Sequence, residues 1–562
     1  MKPTASRRDN VLSRREIEGL IADGRSIIIV EGKVLKVDAW MPYHPGGDKA
    51  IRHMVGRDAT DEVNALHSPE ARQRMNSYQI GRIEGRWTNF LPPIQGGTFR
   101  KYNGEEDTGV AAGQEDSSSQ DSSRSVSPVF DQEVEDSGTR RRKSTSTSPS
   151  STSSSPPPPS SKLPQPESKP AFLDARTHEE IIFDIAKYPS LDFEVQDDIV
   201  EKYRELKERI RAEGLYNCNY YAYLIEACRY TLFVVLSLFC LRHGWYGTSG
   251  AFLGMFWHQL AFAAHDAGHM GITHNFHVDS VIGIIISDYL GGLSMGWWKR
   301  NHNVHHIVTN SPEHDPDIEH LPFFAISHRF FDGLRSTYYE RILEYDIFAK
   351  FTVRYQDYLY YPILLFGRFN LIRLSWEYLL CGQAPRKGPA WWHWYVEMGG
   401  QMFFWTWYGY GLLYLTIPDW YSRIVFIMIS HMVTAPLHVQ ITLSHFAMST
   451  ADLGIHESFP QKMLRTTMDV DCPEWLDFFH GGLQFQAVHH LYPRLPRHNL
   501  RKAQRLIKEF CEETGIPYAI FTFYDGNKEI IGKLGDVANQ ARLMAECKKS
   551  IVASGLSDGH HH

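Results

Sequence analysis

The chain has 562 residues and a formal net charge of −7, with 22% charged and 43% hydrophobic residues. That length predicts three or four folding units, and the negative balance argues against a general nucleic-acid binder. The seven cysteines, Cys218, Cys228, Cys240, Cys381, Cys472, Cys511 and Cys547, form no Cys-x-x-Cys pair, so a reducing compartment is expected and a disulfide framework is not. Aromatic residues reach 13%, with 14 Trp and 28 Tyr, a richness that favours membrane interfaces. The slightly negative mean hydropathy averages a polar tail with apolar spans.

Residues 1–12 read as a tail. Met1 to Leu20 carries Arg and Glu throughout and no apolar h-region, so no secretory signal is expected and the N-terminal unit should stay in the cytosol. A domain follows over 13–100. It begins with a short amphipathic helix around Ile17 and Leu20. Two apolar strands come next, Ser26–Val30 and Val34–Val37, joined by a Glu31-Gly32 turn. His44-Pro45-Gly46-Gly47 then fixes a tight turn that presents an imidazole from a loop, and Asp58-Ala59-Thr60-Asp61 leads to His67. This segment resembles a cytochrome b5 domain, an α+β fold. The resemblance implies haem b with His44 and His67 as its axial ligands. Two nitrogen ligands fill both axial positions, so such an iron transfers electrons instead of binding oxygen.

Residues 101–172 form a linker. Ser117 to Ser119, Ser150 to Ser155 and Pro156 to Pro159 carry no apolar periodicity, so the segment cannot offset its ordering entropy and is expected to be a disordered tether. A tether raises the local concentration of the haem module near what it reduces. Arg140 to Lys143 reads as a solvated charge run.

From 173 to 545 the chain reads as an all-α membrane domain with four spans. A polar helical segment, Thr177 to Arg211, precedes two apolar runs, about Tyr221–Leu241 and about Tyr246–Ala264, each long enough to cross a bilayer with some tilt. Box one follows, His265-Asp266-Ala267-Gly268-His269. Residues three and four apart share a helix face, so its two imidazoles aim at one point. Val281–Leu290 is apolar but short and interrupted by Asp288, and reads as interfacial or packed against the spans. Trp297 and Trp298, readable as channel lining or as interface anchors, precede box two, His302-Asn303-Val304-His305-His306. Asp266, Asp315 and Asp317 are placed to orient ligand imidazoles. Tyr358–Phe366 is again ambiguous. Spans three and four lie at about His393–Thr416 and Tyr421–Leu443, with Trp391, Trp392, Trp394, Trp420 and Tyr421 at their ends as an aromatic belt. His445 stands just past the fourth span. Box three, Gln486-Ala487-Val488-His489-His490, repeats box two with Gln first.

Neutral imidazole suits iron, zinc, copper and nickel. The seven histidines of the boxes exceed what one tetrahedral zinc can use, and a two-metal centre with positions open for an oxidant fits the count. An even number of crossings separates each box from the N-terminal module, so boxes and haem are expected on one cytosolic face. His431 and His438 lie inside span four; they and His258, His274, His277, His314 and His320 read as packing, supporting or surface residues. Residues 546–562 form a C-terminal tail, whose His560-His561-His562 is excluded from the site.

The order His-x-x-x-His, His-x-x-His-His, Gln-x-x-His-His on four spans resembles the membrane fatty-acyl and sphingolipid desaturases. Gln486 and the fused cytochrome b5 domain mark the front-end group. His480-Gly481-Gly482-Leu483-Gln484-Phe485-Gln486, with Arg494-Leu495-Pro496-Arg497-His498, is most similar to the fungal delta-8 sphingolipid desaturases. The resemblance implies a di-iron centre held by His265, His269, His302, His305, His306, His489 and His490, with His445 as an additional ligand and Gln486 beside them. It further implies O2 as co-substrate, a ceramide-type sphingolipid substrate in the endoplasmic reticulum membrane, and electrons from NADH through NADH–cytochrome b5 reductase. No Gly-x-Gly-x-x-Gly fingerprint follows a strand, so the chain is not expected to bind the nicotinamide itself. A delta-5 or delta-6 front-end fatty-acid desaturase shares every motif. A lipid hydroxylase and a haem-bearing electron carrier without chemistry of its own are the further alternatives.

Overall fold

The computed structural model describes residues 7–102 and 169–553. The Arg140 to Lys143 run, nearly all of the expected tether and His560 to His562 lie outside the described residues.

Helix α1 (Arg14–Ala22) starts where Ser13 accepts from the Glu16 amide at 3.2 Å and the Glu16 carboxylate accepts from the Ser13 amide at 2.7 Å, a reciprocal cap that satisfies two otherwise unpaired donors. Strands β1 (Ile27–Val30) and β2 (Lys33–Lys36) pair antiparallel, Val30 opposite Lys33. The turn between them puts both Glu31 and Gly32 at positive φ, 51° and 71°, the twist that suits a two-residue hairpin. Three short helices follow, α2 (Asp48–Arg52), α3 (Thr60–Leu66) and α4 (Pro69–Met75), and then β3 (Gln79–Arg82), which completes a sheet of order β1-β2-β3. β3 was not among the predicted strands, because Gln-Ile-Gly-Arg carries no alternation to read.

The larger part opens with α5 (Lys169–Lys187) and α6 (Phe193–Ala212), then α7 (Tyr220–Arg242) and α8 (Tyr246–Gly268). α9 (Phe276–Ile284) runs on through a π-helical turn, Ile285–Leu290, and the chain bends by 118° into α10 (Met295–Val308). A short hairpin, β4 (Leu334–Ser336) and β5 (Arg341–Leu343), precedes α11 (Ile347–Arg354), α12 (Gln356–Leu364) and α13 (Gly367–Leu380). α14 (His393–Phe404) continues as a π-helix to Thr416, and α15 (Trp420–Met432) leads into α16 (Ala435–Leu443). α17 (Phe459–Thr466), β6 (Asp469–Asp471), α18 (Asp477–His480), α19 (Gln486–Leu491), α20 (Leu500–Thr514), β7 (Ile520–Thr522) and α21 (Phe523–Ala553) complete the chain, with β6 and β7 parallel. The two small strand pairs are exceptions in a helical domain.

Among the described residues, α7 and the α15–α16 stretch Trp420–Leu443 are long and apolar enough to cross a membrane, and the bent pair α9–α10 qualifies if read as one span. α8 has 23 residues but is diluted by Gly, Ser, His and Gln. α7 leaves Leu224, Leu232, Val235, Leu238 and Phe239 more than half exposed, and Trp420 and Tyr421 are three-quarters exposed at the start of α15. Apolar side chains of that size in contiguous exposure mark a lipid-facing surface. Val281–Leu290 is helical and packs against α8 and α14. Tyr358–Phe366 falls largely in α12, which packs against α16 and α21.

Residues up to Tyr102 and from Arg176 onward belong to one unit, and its two parts share a core. Val304, Ile307 and Val308 of α10 are buried in one cluster with Val30, Leu35, Met54 and Val63 of the N-terminal domain. Each such side chain contributes about 1.5–3 kcal/mol when fully buried. Polar ties surround this core. Arg300 donates to Asp48 at 3.1 Å, Lys49 to the Thr337 carbonyl at 3.1 Å, and Arg204 grips Asp61 at 2.9 and 3.1 Å.

Candidate metal and haem sites

Box one closes α8, box two forms the second half of α10, and box three fills the one-and-a-half turns of α19. Helical spacing alone puts each pair or triplet on one face. The fold then brings the three faces together with His445, which follows α16. The nitrogens of His265, His269, His302 and His489 all lie within 4.8 Å of one another, and those of His305, His445 and His490 form a second such group. His306 stands between them. Its Nε2 is 3.1 Å from His302 Nε2 and 3.2 Å from His489 Nε2, and its ring centre is 4.3 Å from that of His490. Trp298 stacks on His302 at 4.5 Å, so it packs on the centre itself, while Trp297 packs with Tyr378 and Trp394. Gln486 is buried at the head of α19, one turn before His489 and His490.

The donor set fits a pair of metal ions. His265 Nε2, His269 Nε2, His306 Nδ1, His445 Nδ1 and His490 Nε2 are buried without a hydrogen-bond partner, an expense that a native interior rarely carries unless a ligand is intended there. Nitrogens bound to one metal at about 2 Å each lie at most about 4 Å apart, so a small closure of each group suffices. Burial, followed by mutual repulsion, holds His306, His489 and His490 well below the usual imidazole range, which leaves them neutral with a lone pair to offer. His305 is the exception. Burial opposes its charge, but Asp315 and Asp317 outweigh it and push it up to about 9.

The carboxylates and backbone behind the rings set their orientation. Asp315 accepts from His305 Nδ1 at 2.8 Å and also from the amides of Asn310 at 2.8 Å and Asp317 at 2.9 Å. Asp317 lies 3.6 Å from His302 Nδ1. Asp266 behaves differently from expectation: Arg497 and Tyr223 hold it, and His265 Nδ1 stays 4.0 Å away, beyond hydrogen-bond reach. Arg497 also pairs with Glu226, so α7, box one and the segment after box three are tied by one buried ion network.

Thr309 and Asn310 were not anticipated. The Thr309 hydroxyl donates to the His305 carbonyl at 2.7 Å and lies 3.3 Å from His490 Nδ1. Asn310 donates to the His445 carbonyl at 2.8 Å from a backbone with φ 58°. Their signal in the sequence is a Thr-Asn-Ser-Pro stop after box two, where an Asn in the left-handed conformation ends a helix.

In the N-terminal domain the rings of His44 and His67 face each other with centres 5.9 Å apart and planes 30° from parallel. Each Nδ1 donates to a carbonyl, His44 to Gly47 at 2.8 Å and His67 to Val63 at 3.2 Å. That fixes the tautomer and turns both Nε2 lone pairs inward. Two metal–imidazole bonds of about 2 Å with half a ring at each end need about 6 Å between ring centres, so the pair fits a haem iron. Burial lowers both and takes His67 down to about 3, so both stay neutral. Any larger residue than Gly46 would force a shift here: a Cβ would stand 2.6 Å from Asn303 Nδ2 and 2.9 Å from His44 Cε1. On the other side Arg494, four residues past His490, donates to the His67 carbonyl at 3.0 Å. Both axial segments therefore touch elements that carry metal-centre histidines.

The remaining histidines lie elsewhere. His431 stacks on Phe369 at 4.5 Å, His258 on Phe479 at 5.2 Å, His274 bonds the Tyr216 carbonyl, and His314 bonds Thr337. His438 packs on Gly367, His320 on Phe446 and His277 near Phe276 and Trp392.

Comparison with known proteins matches residues 13–84 to the cytochrome b5-like heme/steroid binding domain and residues 243–522 to the fatty acid desaturase family. The chain is 66% identical to a delta 8-(E)-sphingolipid desaturase of Emericella nidulans over 99% of both chains. It is 46% identical to the protein of that name in Candida albicans over 96% of this chain and 97% of the relative. A delta(8)-fatty-acid desaturase of Arabidopsis thaliana is 35% identical over 66% of this chain and 82% of its own.

Proposed function

The chain belongs to the family of fungal delta 8-(E)-sphingolipid desaturases, and from that membership we propose that it introduces the delta-8 double bond into the long-chain base of ceramide-type lipids. It is a membrane oxidoreductase whose cytochrome b5 domain binds haem and whose family carries a di-iron centre. The observation that carries the reading is the meeting of eight imidazoles from four separate segments beside a haem module seated on two of those segments.

An unactivated methylene pair has no acidic proton and no leaving group, so side chains alone cannot remove its hydrogens. A di-iron pair supplies, when bound, the oxygen chemistry for that removal, and haem supplies electrons. His265, His269, His302 and His489 would hold one side of the centre and His305, His445 and His490 the other, with His306 between them and Gln486 beside box three. Asp315 and Thr309 keep the second group oriented. Trp298 covers His302 of the first group, and the apolar seam of Val304, Ile307 and Val308 keeps the contact between α10 and the N-terminal domain dry. Overall one O2, two electrons, two protons and two substrate hydrogens become two waters and the alkene.

Four crossings of the endoplasmic reticulum membrane, by α7, α8, α14 and α15–α16, agree with the same contacts. The haem module touches boxes two and three, and box one joins them. In this reading the chain returns through α8 after leaving through α7, and returns again through α15–α16 after α14. All boxes and the haem then face the cytosol, where NADH–cytochrome b5 reductase delivers electrons.

The test is a product assay of the full chain in fungal microsomes with defined ceramides and acyl lipids, with His305→Ala as the inactive control. A new double bond at carbon eight of the long-chain base is expected. An unchanged base with altered acyl unsaturation would mean a front-end fatty-acid desaturase, and an oxygenated product a hydroxylase. Haem iron without further iron would leave only an electron carrier.

A further inference from the structure

A cavity beside the metal centre is left unfilled by the histidines. Ala267 and Gly268 of box one, Gly296 and Lys299 in the first half of α10, Tyr378 of α13 and Glu397 of α14 are among its walls. Gly268 adjoins His269, and Lys299 precedes His302 by three residues, close to one helical turn or about 5.4 Å. The cavity therefore opens within about a turn of the metal ligands. Phe276, Ile284 and Trp394 add apolar wall.

Two polar oxygens converge there without a partner. Glu397 is 2% exposed, and its Oε2 accepts from the Ser294 hydroxyl and from the Gly296 amide at 3.1 Å. Among the described residues its Oε1 accepts nothing. The Tyr378 hydroxyl, on a side chain 3% exposed, likewise makes no hydrogen bond among the described residues. A Cβ on Gly296 would stand 2.6 Å from each of these oxygens, so they lie no more than about 5 Å apart. Glycine leaves that space open. His393 on the same wall has Nε2 buried without a partner. A buried polar atom without a partner is costly and, beside two oxygens free to bond, points to a polar ligand.

A hydroxyl placed between Tyr378 and Glu397 satisfies both, because it accepts from the phenol and donates to the carboxylate at about 2.7–2.8 Å each. We propose that this cavity is the subsite for the polar end of the long-chain base, with its C3 hydroxyl bracketed by Tyr378 and Glu397. The inference rests on the sphingolipid reading above and deepens it. Carbon eight is only five bonds from carbon three, so a reaction there requires the polar end to be held inside the protein, near the metals. A polar pair one turn from box two measures that distance, and makes the double bond fall at a fixed count from the head.

The test uses the full haem-containing protein in lipid nanodiscs with N-acylsphinganine and its 3-deoxy analogue. The readouts are ligand-induced thermal stabilisation of iron-free protein, and KM, kcat and double-bond position for the iron-loaded enzyme. Wild type should bind N-acylsphinganine about 10–100-fold more tightly than the analogue, the worth of the two hydrogen bonds the analogue forfeits. Tyr378→Phe should cut that discrimination by about 3–10-fold, raise KM for the natural base more than it lowers kcat, and scatter the double bond to neighbouring positions. If Tyr378→Phe does not retain its haem spectrum, Glu397→Gln serves in its place with the same expectation. A variant that discriminates as fully as wild type, or that weakens both ligands equally, overturns the subsite. A wild type that discriminates in binding yet leaves the long-chain base saturated overturns the sphingolipid reading and leaves the subsite standing.

Discussion

Asp315 is the residue whose loss should reveal the metal centre most cleanly. It is fully buried, and its two oxygens accept from three donors, His305 Nδ1 and the amides of Asn310 and Asp317. Asp315→Asn keeps the volume but loses the charge and turns an amide NH2 toward at least one of those donors. Partners of this kind typically cost 10–100-fold in metal affinity or activity when removed, which is about 1.4–2.7 kcal/mol. Asp315→Asn should fall near the lower end. Asp315→Ala leaves all three donors unpaired in a dry site and should fall near the upper end or beyond, since each orphaned group adds about 1–3 kcal/mol. The assay is non-haem iron per haem, measured after dialysis against a graded chelator. The haem spectrum serves as an internal reference because His44 and His67 do not touch Asp315. A midpoint for Asp315→Asn within twofold of wild type would refute the argument that this carboxylate holds a ligand imidazole.

His67→Ala should abolish the bis-imidazole haem spectrum and desaturation together while leaving non-haem iron in place, read by absorption and metal content. Arg494→Gln removes the charged donor on the His67 carbonyl. It should slow reoxidation of the reduced haem in stopped flow by about 10-fold or more with the spectrum unchanged, and an unaltered rate would separate docking from electron delivery. Gly46→Ala inserts a methyl group against Asn303 and His44; at about 1–3 kcal/mol of overpacking it should unseat the module and slow the same reoxidation while haem stays bound. Thr309→Val loses the hydroxyl shared by His305 and His490 and should lower chelator resistance several-fold, less than Asp315→Ala does.

Local rules made much of this protein readable. The boxes are visible because ligands on one helix must recur at three and four residues, and the haem loop because Pro45, Gly46 and Gly47 leave the backbone one tight path. The apolar runs marked α7, α8, α14 and the α15–α16 stretch for the same reason, that lipid demands a continuous length of apolar helix. Of these, α8 and α14 are the more polar, since both carry polar side chains that pack inward. Glu397 shows why: its carboxylate meets Ser294, a residue 103 positions away.

Sequence alone thus determined the histidine-bearing helices and the haem turn, because these depend on spacing within a few residues, while the chemistry class came with the resemblance of their order to a known family. Tertiary structure decided how the histidines divide into two groups, which carboxylate stands behind His305, that Val304 faces the haem domain while its neighbours face the metals, and that Tyr378 meets Glu397 over Gly296. Those facts depend on residues tens to hundreds of positions apart. A helix face specifies a direction, and only packing against another element specifies what lies along it.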